Sequence, residues 1–252
     1  MVKVEFTGLR DRLLTLDRLE REQLPFAAAL ALTRTAQATS AGLRTEMQRV
    51  FDRPTRATLN SLFIEPATKE KMVARVWIND GKGRSRWGEA RAAIRWLEPQ
   101  VYGGPRGMKG VEKMLQRRGV LGAGQFVVPG EAAPLDQHGN IKRGQLNRIL
   151  SGARLFTEEG YTANRTDSAQ SRRKRGDRYF VIRKGREALG IAERKQYGKG
   201  SRNSIRMVLV FARQPTYARR FDFHAAGDRI ASEELPIEFE KAMAQALATR
   251  RR

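Results

Sequence analysis

Two histidines, no cysteine and three tryptophans bound the chemistry this chain can perform. His138 stands in Asp136-Gln137-His138-Gly139-Asn140, which has the composition of a surface turn. His224 follows Phe221-Asp222-Phe223 and reads as the end of a strand. The two are far apart in sequence, and neither has a partner at metal-ligand spacing, whereas a zinc site needs three or four such donors. Without cysteine there is no thiolate nucleophile and no disulfide. The Gly-x-Ser-x-Gly elbow of the serine hydrolases does not occur. Gly198-Lys199-Gly200-Ser201 touches the phosphate-loop pattern but lacks its glycine spacing and the strand and helix that must flank it. In Gly103-Gly104-Pro105-Arg106-Gly107, Pro105 and the spacing both disagree with a dinucleotide fingerprint. Glu158-Glu159 and Glu233-Glu234 are adjacent pairs, a spacing that suits capping or solvation better than paired acid and base. The residues therefore point away from catalysis, and no cofactor or metal is expected.

What remains is cationic. The 252 residues carry 49 Lys plus Arg against 27 Asp plus Glu, a net charge of +22. A chain this basic seeks polyanions or acidic protein surfaces. Arg84, Arg86, Arg91 and Arg95 flank Trp87 and Trp96; Arg172, Arg173, Lys174 and Arg175 form a tight run; Arg117-Arg118 and the terminal Arg250-Arg251-Arg252 add to them. Arginine beside an aromatic ring can hold a nucleic-acid backbone and stack on bases. The same pairing anchors protein interfaces. A solvated charged face is the competing reading of each cluster, and burial in the subunit's own core is that of each tryptophan. No helix-turn-helix, zinc-finger, OB-fold or RNA-recognition signature accompanies them.

The elements that must position these residues follow from patterning. Residues 2–6 alternate as a short strand, and Leu9, Leu13, Leu16 and Leu19 have helical spacing. Residues 23–51 are expected to form a long alanine-rich helix with Pro25 in its first turn, stopped by Asp52-Arg53-Pro54. Residues 72–78 read as a strand, 90–97 as a helix ending before Pro99, and 111–118 as a helix closed by Gly119. Residues 126–129 are a brief extended piece, and 144–150 read as helical. The polar run 168–176 is expected to be a mobile arm. Strands are expected over 178–183, 190–196 and 205–213, the last with Ile205, Met207, Leu209 and Phe211 on one face. A helix over 236–247 should turn Ile237, Phe239, Met243, Ala246 and Leu247 inward. The segregation of helices and strands predicts one α+β domain over 1–252. Its long N-terminal and C-terminal helices should pack on a mainly antiparallel sheet, with 80–176 as a loop-rich basic insertion or arm. The N-terminus lacks the apolar stretch of a signal peptide, and the longest apolar run, 25–32, is too short for a bilayer, so a soluble protein made in a cytoplasm is expected.

A strand, Gly8-Leu9, a brief helix and then an alanine-rich helix carrying Leu30-Ala31-Leu32-Thr33-Arg34-Thr35-Ala36 resemble the tail-completion proteins of long-tailed bacteriophages, in particular the minor tail protein Z-like group. Asp52-Arg53-Pro54-Thr55 with Thr58-Leu59-Asn60-Ser61-Leu62 is similar to stretches of prophage tail proteins, and the strands 205–211, Tyr217, Phe221-Asp222-Phe223 and a last helix fit its ending. The likeness covers roughly residues 2–78 and 178–249. It implies a structural virion protein without catalytic residues, made in the bacterial host cytoplasm. Such a subunit forms a ring of copies at the head–tail junction, touching neck, connector and tail proteins. The positive charge would face acidic partner rings or the genome in the lumen. The interface or DNA-facing candidates are Trp87, Arg91, Arg95, Trp96, Arg172, Arg173, Lys174 and Arg175. A nucleic-acid-binding protein outside any virion is the alternative.

Overall fold

The computed structural model describes residues 23–81, 84–85, 88–89, 92–155, 178–195 and 204–248. The expected elements at 2–6 and 9–19, the arm 168–176, and the candidates Trp87, Arg91, Arg172, Arg173, Lys174 and Arg175 lie outside them. The fold is mixed α+β, with long N-terminal and C-terminal helices and antiparallel sheets. The chain divides into two compact units, residues 1–101 with 219–252, and residues 102–218.

The first unit is organised by α1, Leu24–Val50. Pro25 sits at its start, where its missing N–H costs no helical bond. At the other end Phe51 is extended and Arg53 has φ 49°, so the chain has left helical geometry before Pro54. The buried stripe recurs at every fourth residue: Ala27, Ala31, Thr35, Thr39, Leu43 and Met47. A spacing of four overshoots the 3.6-residue turn, so the stripe winds around α1 and its ridges can interdigitate with a second helix.

That second helix is α6, Phe223–Ala248. Ala27 and Ala31 meet Ala242 and Ala246, all four fully buried, while Gly227 lies beside Leu43. Rising numbers in α1 thus meet falling numbers in α6, and the pair is antiparallel. Alanine keeps one end close; Gly42 does the same at the other, since a Cβ there would stand 2.7 Å from Ile230 Cδ1. Between them, the buried hydroxyls of Thr35 and Thr39 have no hydrogen-bond partner, a cost of about 1–3 kcal/mol each that weakens the middle of the stripe.

Short elements cover the lower half of α1. They are α2 (Arg56–Leu59), the hairpin β1 (Leu62–Glu65) and β2 (Arg75–Ile78), and α3 (Ile94–Tyr102); β3 (Arg84–Ser85) and β4 (Gly88–Glu89) form a two-residue antiparallel pair of their own. Leu43 and Met47 share a core with Ile78, Ala93, Leu97, Val101 and Phe221. Leu43→Asp would bury an unpaired carboxylate at a fully covered position, at a cost above about 4 kcal/mol. We expect no soluble folded protein from it, and an unchanged melting temperature would contradict the helix assignment.

The second unit runs from β5 (Gly104–Pro105) through α4 (Gly110–Arg117), β6 (Gln125–Pro129), α5 (Arg143–Gly152), β7 (Tyr179–Lys184), β8 (Glu187–Lys195) and β9 (Ser204–Arg213) to β10 (Thr216–Tyr217). β5 and β10 pair antiparallel, and the main sheet has the order β6-β9-β8-β7, antiparallel throughout. Its core joins Leu115, Leu121, Ile149 and Leu150 to Ile191, Val208 and Leu209 of the sheet. Gly190 lies on the inner strand β8 because a Cβ there would stand 2.2 Å from the Leu209 carbonyl oxygen.

Several expectations are corrected. The region 80–176, expected as an insertion or arm, supplies α4, β6 and α5 and much of the second unit's core. The antiparallel sheet against α1 in the first unit is the β1–β2 hairpin. Pro99 lies inside α3, where the burial of Ala93, Leu97 and Val101 on one face outweighs the lost backbone bond. The strand expected from 72 begins at Arg75. Ile205, Met207, Leu209 and Phe211 do not share one face: Ile191 pairs with Leu209 but Ala192 with Met207, so Val208 is an extra, bulged residue. Ile205 is accordingly 56% exposed while Val208 is buried.

The C-terminal helix begins at Phe223 rather than 236 and carries Pro236 internally. Asp222 starts it, its carboxylate accepting from the Ala225 N–H at 3.1 Å. Of the residues expected to face inward, Ala246 is buried, but Ile237, Phe239 and Leu247 are exposed. Met243, also expected inward, packs against the alanine cluster and Ile230 against Gly42, so only part of the large apolar set on this helix is turned outward.

Candidate interaction surfaces

Among the expected site residues, the structure describes Arg95 and Trp96. Both sit on α3: Arg95 lies opposite the buried stripe of Ala93, Leu97 and Val101, and Trp96 lies at its flank. Arg95 is exposed, and Trp96 is 38% exposed. Trp96 is nevertheless held: its indole N–H donates to Thr58 Oγ1 at 3.3 Å. That hydroxyl lies 3.0 Å from Thr55 Oγ1, which caps α2 by accepting from the Thr58 N–H at 3.2 Å. A short capped helix thus fixes the ring in one orientation with a face open to solvent. Sequence alone singles out Trp96 and Arg95, but not the threonine pair, which joins them only through the fold.

A second surface was hidden in the sequence by the inward reading of the last helix. Leu235, Ile237, Phe239 and Leu247 on α6 and Leu24 at the start of α1 are exposed large apolar side chains. The opposing alanines bury the helix pair and leave these partly uncovered, at 39–47% exposure. Those on α6 lie on more than one side of the helix, and their exposed area is a candidate contact surface.

Among the described residues of the second unit two carboxylates are buried, and both are engaged by arginines. Glu112 accepts from Arg106 Nη1 at 2.8 Å, Arg106 Nη2 at 2.5 Å, the Lys109 N–H at 2.6 Å and the Val127 N–H at 2.9 Å. Burial alone would push its carboxyl up, but the Arg106 guanidinium and the two backbone donors hold it below the ordinary range. Arg106 also lies over the Phe126 ring, 4.9 Å from its centroid. Glu193 accepts from Arg178 Nε at 2.9 Å and Nη2 at 2.6 Å, and from Arg206 Nη2 at 2.5 Å. Glu112 has all four acceptor sites taken and Glu193 three, every one by an arginine or a backbone N–H, so both carboxylates are committed to holding the fold. The position of Glu112 three residues after Lys109, at the start of a helix, was the available sequence signal for the first clamp.

His138 lies in the expected turn, where Asp136 Oδ1 accepts from the His138 and Asn140 N–H groups at 2.9 Å each. His224 occupies the first turn of α6 instead of a strand end. Among the described residues no group of three or more His, Cys, Asp or Glu side chains is placed to hold a metal ion. None of the described helices is long and apolar enough to cross a membrane.

Charge divides unevenly between the units. Residues 102–218 contain 24 Lys and Arg against 9 Asp and Glu, while the remaining residues contain 25 against 18. The cationic excess is therefore concentrated in the unit built on the four-stranded sheet. No protein-family model, curated protein or solved structure matches this chain.

Proposed function

We propose that this chain is a structural virion protein of a long-tailed bacteriophage, a tail-completion or neck subunit that assembles as a ring of copies at the head–tail junction. The observation that carries the reading is the helix pair. Its alanine and glycine interface already holds α1 and α6 together, so Leu235, Ile237, Phe239 and Leu247, each left 39–47% exposed, keep apolar surface that a neighbour could cover. The partly exposed Trp96 with Arg95 adds an anchor of the type that dominates interfaces. The resemblance of residues 2–78 and 178–249 to the minor tail protein Z-like group supplies the location. A subunit that works by contact needs no active site, and the two buried carboxylates serve the fold. Connector, neck and tail proteins are the partners on this reading, and DNA passes through the lumen.

The test is genetic and visual. Removing the chain from the phage that encodes it should leave filled heads and tails that fail to join, or tails of faulty length, in electron micrographs, with joining restored by the intact chain. Joined, infectious particles at normal titre in its absence would refute the role.

A further inference from the structure

The four-stranded sheet ends in a group of cations that no ion pair explains. β7 and β8 are joined by a two-residue turn, Gly185-Arg186, with Lys184 paired to Glu187 and Gly185 at φ 60°. The turn places Arg183, Lys184 and Arg186 within four residues, all exposed. Arg183 Nη1 donates to the Arg186 carbonyl at 3.3 Å, which folds that guanidinium back along the hairpin tip. The register adds more. Arg213, at the end of β9, pairs with Gln125 at the start of β6. Gln125 Nε2 donates to Glu187 Oε1 at 2.9 Å, and Gln125 Oε1 accepts from the Gly122 N–H at 2.8 Å. These bonds stitch the hairpin tip to the α4–β6 turn, which follows Arg117 and Arg118 directly.

Four cations, Arg183, Lys184, Arg186 and Arg213, thus stand at one end of the sheet, with Arg117 and the partly covered Arg118 just before the turn bonded to it, and among the described residues none of the six forms a salt bridge. The one carboxylate there, Glu187, is engaged by a neutral amide. Elsewhere this chain pairs its arginines readily, as at Glu112, Glu193 and Glu233. A surface that leaves these cations together must overcome their mutual repulsion, and binding a polyanion removes it.

We propose that this hairpin end, Arg183, Lys184, Arg186 and Arg213 with Arg117 and Arg118, is a binding surface for the phosphate backbone of duplex DNA. The composition decides between DNA and an acidic protein. A stable protein interface needs an apolar or aromatic centre and is depleted of charge there, and the tip residues 183–187 are three cations, a glycine and a glutamate. A phosphate backbone needs only an array of cations, best as arginine forks. With no base-reading side chain at the tip beyond the arginines themselves, binding should be governed by phosphate contacts and be nearly independent of sequence. The surface stands apart from the head–tail assignment: it requires DNA contact, which a junction subunit or a protein outside any virion could make.

The test uses the full chain and a short labelled duplex, with anisotropy read over a salt series. Wild-type protein should bind with an affinity that falls steeply with salt. The triple variant Arg183→Gln/Lys184→Gln/Arg186→Gln should bind at least about tenfold more weakly and show a salt slope lower by roughly 2–3, since each phosphate contact contributes about 0.9 to it. Arg49→Gln/Arg75→Gln/Arg229→Gln removes the same charge from the other unit and should change affinity less than about twofold. If the tip triple variant fails to fold, Arg117→Gln/Arg213→Gln, which leaves the turn untouched, should still weaken binding about fivefold. Equal losses in the two triple variants would show that diffuse charge binds DNA, and the assignment falls. It falls too if the duplex does not bind, or if polyglutamate binds through the tip in its place, which would make the partner an acidic polypeptide.

Discussion

Glu112→Ala should destabilise the sheet-bearing unit by about 3–5 kcal/mol, the penalty for breaking one side of a buried ion pair. The carboxylate is fully covered, and the Arg106 side chain is only 11% exposed. Removing Glu112 leaves that guanidinium, the Lys109 N–H and the Val127 N–H without their shared acceptor. Arg106 cannot shed its proton to escape the cost. The units carry a built-in reporter: all three tryptophans lie in the first and all five tyrosines in residues 102–218. Denaturant unfolding of the variant should therefore show the tyrosine signal, and amide exchange at Val127, moving to much lower denaturant. The tryptophan transition should move far less, and equal displacement of both signals would show that the clamp is not confined to its own unit. The pH dependence has a definite sign. A carboxyl held below its ordinary value contributes stability that is present above its unfolded pKa of about 4.3 and is lost as pH falls through the folded one. The wild-type unit should lose stability on acidification, and the variant should lack that share of the loss.

The second large effect is expected at the anchor. Trp96→Ala with Arg95→Ala should leave the subunit folded, because the buried stripe of α3, Ala93, Leu97 and Val101, holds the helix on its core. The melting temperature should fall, since truncating the partly covered indole removes packing as well as its hydrogen bond to Thr58, but the transition should remain cooperative because the core face is untouched. Joining is another matter. Two interface anchors at about 2 kcal/mol each amount to about 4 kcal/mol, roughly a thousandfold in an association constant. Infectious joined particles should fall accordingly, with separate heads and tails accumulating. Normal titre from the double variant would remove these residues from the interface. An inactive substitution at His138 or His224 that leaves joined particles intact would instead point to chemistry and undermine the structural reading.

These residues also show what the sequence can and cannot disclose. The ends of α1 are legible because Pro25 and Pro54 act locally, through φ and through the residue before proline. Gly119 closes α4 with φ 64°, again a local effect. Pro99 and Pro236 mislead because tertiary burial and the length of a helix pair override the local penalty. The start of α6 is missed because Phe221-Asp222-Phe223 alternates like a strand, although Phe221 is a core residue and Asp222 a cap. The outward face of α6 is inverted for a related reason. Periodicity reports that a stripe exists, but alanines can satisfy the partner helix and leave larger side chains such as Ile237 and Phe239 outside. At the candidate surfaces, residue type singles out Arg95 and Trp96, and the described fold places both on the exposed part of α3. Arg117-Arg118 also stands out in the sequence, but its grouping with Arg186 and Arg213 does not, since that depends on strand register and the Glu187–Gln125 bond. Dense runs such as 172–175 draw attention in a sequence, while a cluster assembled from distant pieces does not.

The central claim, that this chain is a structural component of the head–tail junction, is tested most directly by cryo-electron microscopy of intact particles of the encoding phage. The account predicts a closed ring of copies between head and tail into which both units fit, with α6 and Trp96 against neighbouring density. Joined particles whose junction is fully accounted for by other proteins, with this chain absent from the purified virion, would contradict it.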